Sequence, residues 1–186
     1  MSKSDSGLFQ GTLGSTYENS TSKETSYTDR GIEVPKYIQD ALAQLKKTGD
    51  YIKSNVGVYS MTDASIMSKE TGVEFAKVSI GSETYLIRGD AKGTVIPESL
   101  MKKIKTDNGT LDFHSHPHND DLVPSLSDRK VMSSLKRATG QAYSTIVTPN
   151  GRTCLFNENG VIEIGTVSNK ISDARKQALI ELFGGK

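Results

Sequence analysis

The chain has 186 residues, one cysteine and a formal net charge of +1, with basic and acidic residues interspersed. That length allows one domain with a core plus a tail, and a single cysteine excludes an intrachain disulfide framework or a cysteine-rich zinc site. No basic patch is interleaved with aromatics, so nucleic acid is not an expected partner. No apolar run approaches the roughly 18 residues that span a bilayer, and no apolar signal-peptide core follows Met1. A soluble, cytoplasmic chain without a membrane partner is therefore expected, and delivery by a specialised secretion system stays compatible with that.

Residues 1–31 are rich in Ser, Thr, Gly, Lys and Glu and offer little to bury, so they read as a tail or linker. The folded domain is expected over 32–186. Pro35 suits the start of a helix carrying Ile38, Ala41, Leu42 and Leu45 at helical spacing. Val56–Ser60 reads as a strand and Thr62–Lys69 as a short helix. Val73–Ile80, Gly81-Ser82 and Glu83–Arg88 read as a hairpin. A helix follows over Pro97–Ile104, then a strand over Thr110–His116 and a helix over Ser125–Ala138. Tyr143–Val147, Arg152–Phe156 and Val161–Ile164 are strands divided by Pro-Asn-Gly and Glu-Asn-Gly turns. A last helix carries Ile171, Ala174, Ala178, Leu179 and Leu182. The order α-β-α-β-β-α-β-α-β-β-β-α predicts an α/β fold, a mixed β-sheet flanked by helices.

The chemistry-bearing run is Asp112-Phe113-His114-Ser115-His116-Pro117, followed by Pro124-Ser125-Leu126-Ser127-Asp128. On a strand, positions i and i+2 share a face, so His114 and His116 can present both imidazoles to one point. A carboxylate from the next element adds a third ligand. Two imidazoles, one carboxylate and an open position describe a catalytic rather than a structural zinc site. Ser125-x-x-Asp128 also has the form of a helix capping box, and the two roles are compatible, because a helix start fixes where Asp128 points. Asp112 is expected on the His114 face, as a hydrogen-bond partner rather than a ligand. His118, Asp120 and Asp121 read as an exposed polar loop. Cys154, in the apolar run Thr153–Phe156, reads as a buried, inert thiol.

A hydrolytic site needs a general base. Glu98 sits in the first turn of a helix and complements its dipole, while Glu83 borders a hairpin turn. Glu74 shares a strand face with Ala76, Val78 and Ile80, where a carboxylate is costly to bury unless something uses it. Glu70 is the rival position.

With these residues in place, the chain resembles the JAMM/MPN (JAB) metalloprotease family over about residues 56–165. That family's pattern is a glutamate, then His-x-His-Pro, then Ser-x-x-Asp. The resemblance implies a cytidine-deaminase-like JAMM/MPN architecture, with Zn2+ held by His114, His116 and Asp128. It implies Ser125 as hydrogen-bond donor to the oxyanion and Glu74 as the base, since a strand of about seven residues then runs to a turn glycine, here Gly81. The implied reaction is hydrolysis of an amide, often an isopeptide on a lysine, and the implied partner is a protein or peptide substrate such as a ubiquitin-like tail. One departure is present: eight residues separate His116 from Ser125, where the family usually has seven.

The segment Ser6-Gly7-Leu8-Phe9-Gln10-Gly11-Thr12-Leu13-Gly14-Ser15 is similar to the linker before C-terminal modules of bacterial polymorphic toxins, which would make the domain an effector or processing module. Asp-x-His-x-His also resembles the first strand of amidohydrolase barrels, but only 70 residues follow the motif here, too few for a barrel of about 250 residues. Two non-enzyme alternatives remain: a catalytically silent MPN-type interaction module, and a metal-bearing module that binds a partner's extended tail by strand addition. Silent modules typically lose a histidine or the aspartate, and all three are present here.

Overall fold

The computed structural model describes residues 34–55 and 58–167. In chain order the elements are α1 (Lys36–Gln44), β1 (Tyr51–Asn55), α2 (Met61–Thr71), β2 (Phe75–Ile80), β3 (Glu83–Arg88), α3 (Glu98–Thr106), β4 (Thr110–Ser115), α4 (Leu126–Thr139), β5 (Ser144–Val147), β6 (Arg152–Asn157) and β7 (Gly160–Thr166). The strands form one sheet in the order β1-β3-β2-β4-β5-β6-β7. Only β4 and β5 are parallel, and α4 makes the crossover that a parallel pair requires. The α/β reading with helices on a mixed sheet is what the structure shows. The expected tail over 1–31 and the expected last helix lie outside the described residues.

Alternation along the strands sorts side chains onto two faces. One face carries Ala76, Val78, Ile80, Tyr85 and Ile87 with Ile146, Cys154 and Phe156, covered by Leu100 and Ile104 of α3 and Met132 and Leu135 of α4. The other carries Phe75, Leu86, Phe113 and Val147, covered by Tyr37, Ile38 and Ala41 of α1 and Ala64 and Met67 of α2. Cys154 is buried in the first core, and burial pushes its thiol up to about 11, so it is inert at neutral pH. Among the described residues no helix is long and apolar enough to cross a membrane.

Local signals explain most boundaries. The β2–β3 hairpin turns at Gly81 with φ 59°, and of its two loop residues only this one has positive φ, as a type II′ turn requires. Both α2 and α4 start with reciprocal capping boxes, Ser60 with Asp63 and Ser125 with Asp128, and both end at a left-handed glycine, Gly72 and Gly140. Of the strand expected over Val56–Ser60, residues 56–57 lie outside the described residues and Val58–Ser60 is not a strand; the strand found here is β1 at Tyr51–Asn55. Ser60 is taken by the α2 cap, and Tyr51 to Asn55 pair with Ile87 to Glu83. Lys53 and the exposed Tyr51 hid this edge strand, because one of its sides faces solvent and its polarity is that of a loop.

A second difference concerns β4. Its pairing with β2 runs Ala76↔His114 and Lys77↔Phe113, then shifts to Val78↔Leu111. Asp112 is the extra residue of a β-bulge, and a bulge reverses which face later residues take. Leu111 therefore joins the His114 face. Asp112, expected on that face, turns to the other one, where it accepts from the Ser79 and Thr110 hydroxyls and lies 4.0 Å from Lys77 Nζ.

The approach to β4 is tight. Asn108 is left-handed (φ 53°) and the Gly109 amide donates to the Ile104 carbonyl at 2.8 Å, closing α3. A Cβ on Gly109 would meet Ile80 Cγ1 at 2.8 Å and the Ser79 carbonyl oxygen at 2.9 Å. Gly109→Ala should destabilise the protein by about 1–3 kcal/mol through overpacking, measured as a lowered urea midpoint with unchanged slope.

Candidate metal centre

The site forms where β2 and β4 run side by side. Ala76 pairs with His114 in antiparallel register. Two residues from that pair, Glu74 just before β2 and His116 just after β4 extend the same register, which places the carboxylate opposite the second imidazole. His114, His116 and Glu74 are all buried. One ligand atom from each lies within 4.8 Å of the others, close enough to hold one metal ion. The two Nε2 atoms are 3.1 Å apart, and Glu74 Oε1 is 3.9 Å from His116 Nε2.

Asp128 reaches the same point from the first turn of α4. Its Oδ1 is 3.4 Å from His114 Nε2 and its Oδ2 is 3.7 Å from His116 Nε2. The cap orients it: the Ser125 amide donates to Asp128 Oδ2 at 2.7 Å, and the Asp128 amide donates to Ser125 Oγ at 3.1 Å. The capping-box and site readings of this motif thus describe one arrangement. Ser125 is exposed, and its hydroxyl is engaged with the Asp128 amide and with Ser127 Oγ at 2.8 Å.

This donor set fits a metal ion. Atoms about 2.0–2.1 Å from a tetrahedral ion sit roughly 3.3 Å from each other; the two imidazoles are 3.1 Å apart, and Asp128 approaches one at 3.4 Å through Oδ1 and the other at 3.7 Å through Oδ2. The ion pairs of Glu74 and Asp128 are with His114 and His116 alone among the described residues. A buried carboxylate (Glu74) and a partly buried one (Asp128) without a lysine or arginine are costly unless a cation serves them.

The charge states follow from the surroundings. Burial raises the pKa of Glu74 and the nearby Asp128 charge adds to this; the two imidazoles and the Thr94 hydroxyl, which donates to Oε2 at 3.2 Å, offset it only in part. Burial also works against charge on Asp128, but His114 and His116 outweigh it, with help from Ser125, and hold this carboxyl far below the usual range. For His116 burial alone would lower the pKa; Asp128, Glu74 and the Asp121 carbonyl together raise it.

Three supports were not legible beforehand. His116 Nδ1 donates to the Asp121 backbone carbonyl at 2.7 Å, which leaves the Nε2 lone pair facing the site, as metal-ligating histidines need. Every residue has a carbonyl, so no sequence signal exists for this. Among the described residues His114 has no such partner. Its Nδ1 is buried without a hydrogen bond, and the ring is held by edge contact with Phe156 at 5.6 Å. Ser115 points to the opposite face, where its hydroxyl meets that of Ser68, accepts from the Phe75 amide at 2.8 Å and lies 3.3 Å from the Phe75 carbonyl. Ser68 in turn donates to the Val73 carbonyl at 2.7 Å, so the two serines pin the backbone on both sides of Glu74. A serine at a fully buried strand position was the available hint.

The other candidates stand apart. Glu70 is exposed at the end of α2, and Glu98 is exposed in the first turn of α3. Glu83 pairs with Lys53 and accepts from Tyr85. His118 and Asp120 are exposed and line a surface cleft with Lys69 and Asn150 that shares no residue with the metal centre.

Comparisons of the chain with protein-family models, with curated proteins and with solved structures return no match.

Metal analysis of the purified protein should find about one divalent ion per chain, with little retained by His114→Ala or Asp128→Ala. A pH dependence of defined sign also follows. Glu74 and His116 both hold their protons above the ordinary values of 4.5 and 6.5, so the metal-free folded state binds more protons than the unfolded chain. The stabilisation by the His116 proton is complete below 6.5 and is lost as pH rises through its raised value, while ionising Glu74 adds a growing penalty. Buried Asp63, also raised, acts in the same direction. Metal binding needs these ligands deprotonated and reverses the slope. Between pH 5 and 8 the Tm of the metal-free protein should fall and that of the metal-loaded protein should rise.

Proposed function

We propose that this domain is a zinc-dependent hydrolase of amide bonds, a JAMM/MPN-type metallopeptidase acting on a protein or peptide substrate. The observation that carries the reading is the convergence of two buried imidazoles, 3.1 Å apart at Nε2, with one carboxylate aimed by a helix cap and another facing from the adjacent strand. The resemblance of Glu74, His114-Ser115-His116-Pro117 and Ser125-x-x-Asp128 to that family's pattern supports it. An all-nitrogen-and-oxygen set of this kind suits zinc.

His114, His116 and Asp128 would hold the ion. When bound, zinc supplies Lewis acidity, acidifying water and polarising a carbonyl. Glu74 is the group that takes a proton from the attacking water and returns it to the departing amine nitrogen. Its burial suits this task, since a raised pKa lets a carboxyl hold a proton near neutrality between two transfers. The Asp121 carbonyl keeps the His116 ring in one tautomer. With Ser127 as donor in the Ser125–Ser127 pair, the Ser125 hydroxyl is free to donate to the oxyanion, an interaction whose removal typically costs about 100-fold or more. An isopeptide on a lysine side chain, as at a ubiquitin-like tail, is the proposed bond, and an effector or processing module of a bacterial toxin system the proposed setting.

The test is turnover on a panel of peptides and ε-amine-linked isopeptides. A chelator should abolish cleavage and zinc should restore it. Glu74→Gln should keep the zinc and lose about 100-fold or more in kcat, whereas Glu70→Gln should behave as the parent. Stoichiometric zinc with no cleavage of any panel member would overturn the hydrolase reading in favour of a metal-bearing interaction module.

A further inference from the structure

A cavity of about 220 Å³ adjoins the metal centre. Its polar end is Glu74, His114 and Asp128; its walls are Ala76 of β2, Leu111 of β4, Met101 of α3, Val131 of α4 and Ile96 just before α3. We propose that this cavity seats one aliphatic side chain of the substrate, of leucine or methionine size, next to the bond that is cleaved. The proposal rests on the metallopeptidase reading and adds a substrate preference to it.

Three observations select that occupant. The first is size: pockets that hold whole small molecules begin near 300 Å³, so this one fits a single side chain. The second is chemistry. Beyond the three donors, the only polar lining residue among the described residues is Thr94, and its hydroxyl is committed to Glu74 Oε2. Away from the metal-centre donors, a charged or amide side chain would find no free partner along the walls and would lose its hydration, whereas an aliphatic one gains from burial. The third is how the floor is made. Ala76 pairs with His114, so the floor lies directly beside the imidazole. The Asp112 bulge brings Leu111 to the same face and sends the Asp112 carboxylate to the other. An unbulged strand would put a carboxylate where the cavity now has a leucine. Ala76 and Leu111 are buried, while Ile96, Met101 and Val131 are only partly so, which places the opening on the side of the loop before α3 and the two helices.

The test uses two zinc-binding probes on the zinc-loaded protein, acetohydroxamate and 4-methylpentanohydroxamate, with 5-aminopentanohydroxamate as the cationic control. Calorimetry should show the branched aliphatic probe binding at least about tenfold tighter than acetohydroxamate, the gain expected from burying two or more methylenes, and the cationic probe gaining nothing. Val131→Phe, which fills the cavity, should erase the aliphatic advantage. Ile96→Phe makes the same test from the opposite wall if the first variant does not fold, as judged by circular dichroism. Equal affinities, or a preference for the cationic tail, would overturn the cavity's role and leave the metal centre standing. Absence of zinc from the loaded protein would overturn the metallopeptidase reading, and this proposal with it.

Discussion

Two carboxylates and two imidazoles share one buried point with no lysine or arginine among the described residues to balance them, and the surrounding structure is arranged to hold them there. The four donors arrive on three supports. Glu74 precedes β2, where Ser68 and Ser115 fix the backbone on either side. His114 and His116 ride on β4 and its end, and the His116 amide donates to the Val147 carbonyl of the parallel neighbour β5 at 2.9 Å. Asp128 rides on the cap of α4, the crossover that makes that parallel pairing possible. Like charges and unpaired polar atoms collected in this way resist folding, and such conflict between local stability and arrangement is what functional sites typically display.

The contrast with Asp63 makes the point sharper. It too is the third residue of a capped helix and is almost fully buried. Its carboxylate, however, accepts from the Tyr37 hydroxyl, the Ser60 amide and the Ser60 hydroxyl, so its hydrogen-bonding capacity is met by neighbours on its own face of the sheet. The same Ser-x-x-Asp pattern thus yields a self-contained structural cap at α2 and an exposed-edge cap facing two imidazoles at α4. What separates them is the identity of the residues across the gap, which a four-residue pattern does not contain.

That difference also marks how far sequence carries. The period-2 placement of His114 and His116, the buried register of Glu74 with Ala76 and the cap at Ser125 were legible because each follows from spacing within one element. The edge strand β1 was not, because its solvent face erases the apolar alternation on which strand assignment depends. The Asp112 bulge was not legible either. Thr110 to Ser115 reads as an unbroken strand, and the shift arises only when β4 must pair with β2 while Gly109 is pressed against Ile80 and Ser79. The Asp121 carbonyl is anonymous in any sequence. Local rules located the reactive side chains; the groups that aim them came from pairing and packing.

Asp128 serves two masters at once. Its carboxylate closes the opening turn of α4 through Oδ2, and faces the two histidine rings with Oδ1 and that same Oδ2. Pulling it toward a cation would lengthen its bond to the Ser125 amide, and a loosened turn would withdraw it from the rings. Occupancy of the centre and fraying at the head of that helix are consequently linked quantities, so the helix opening records, in its backbone, whether the ion is home.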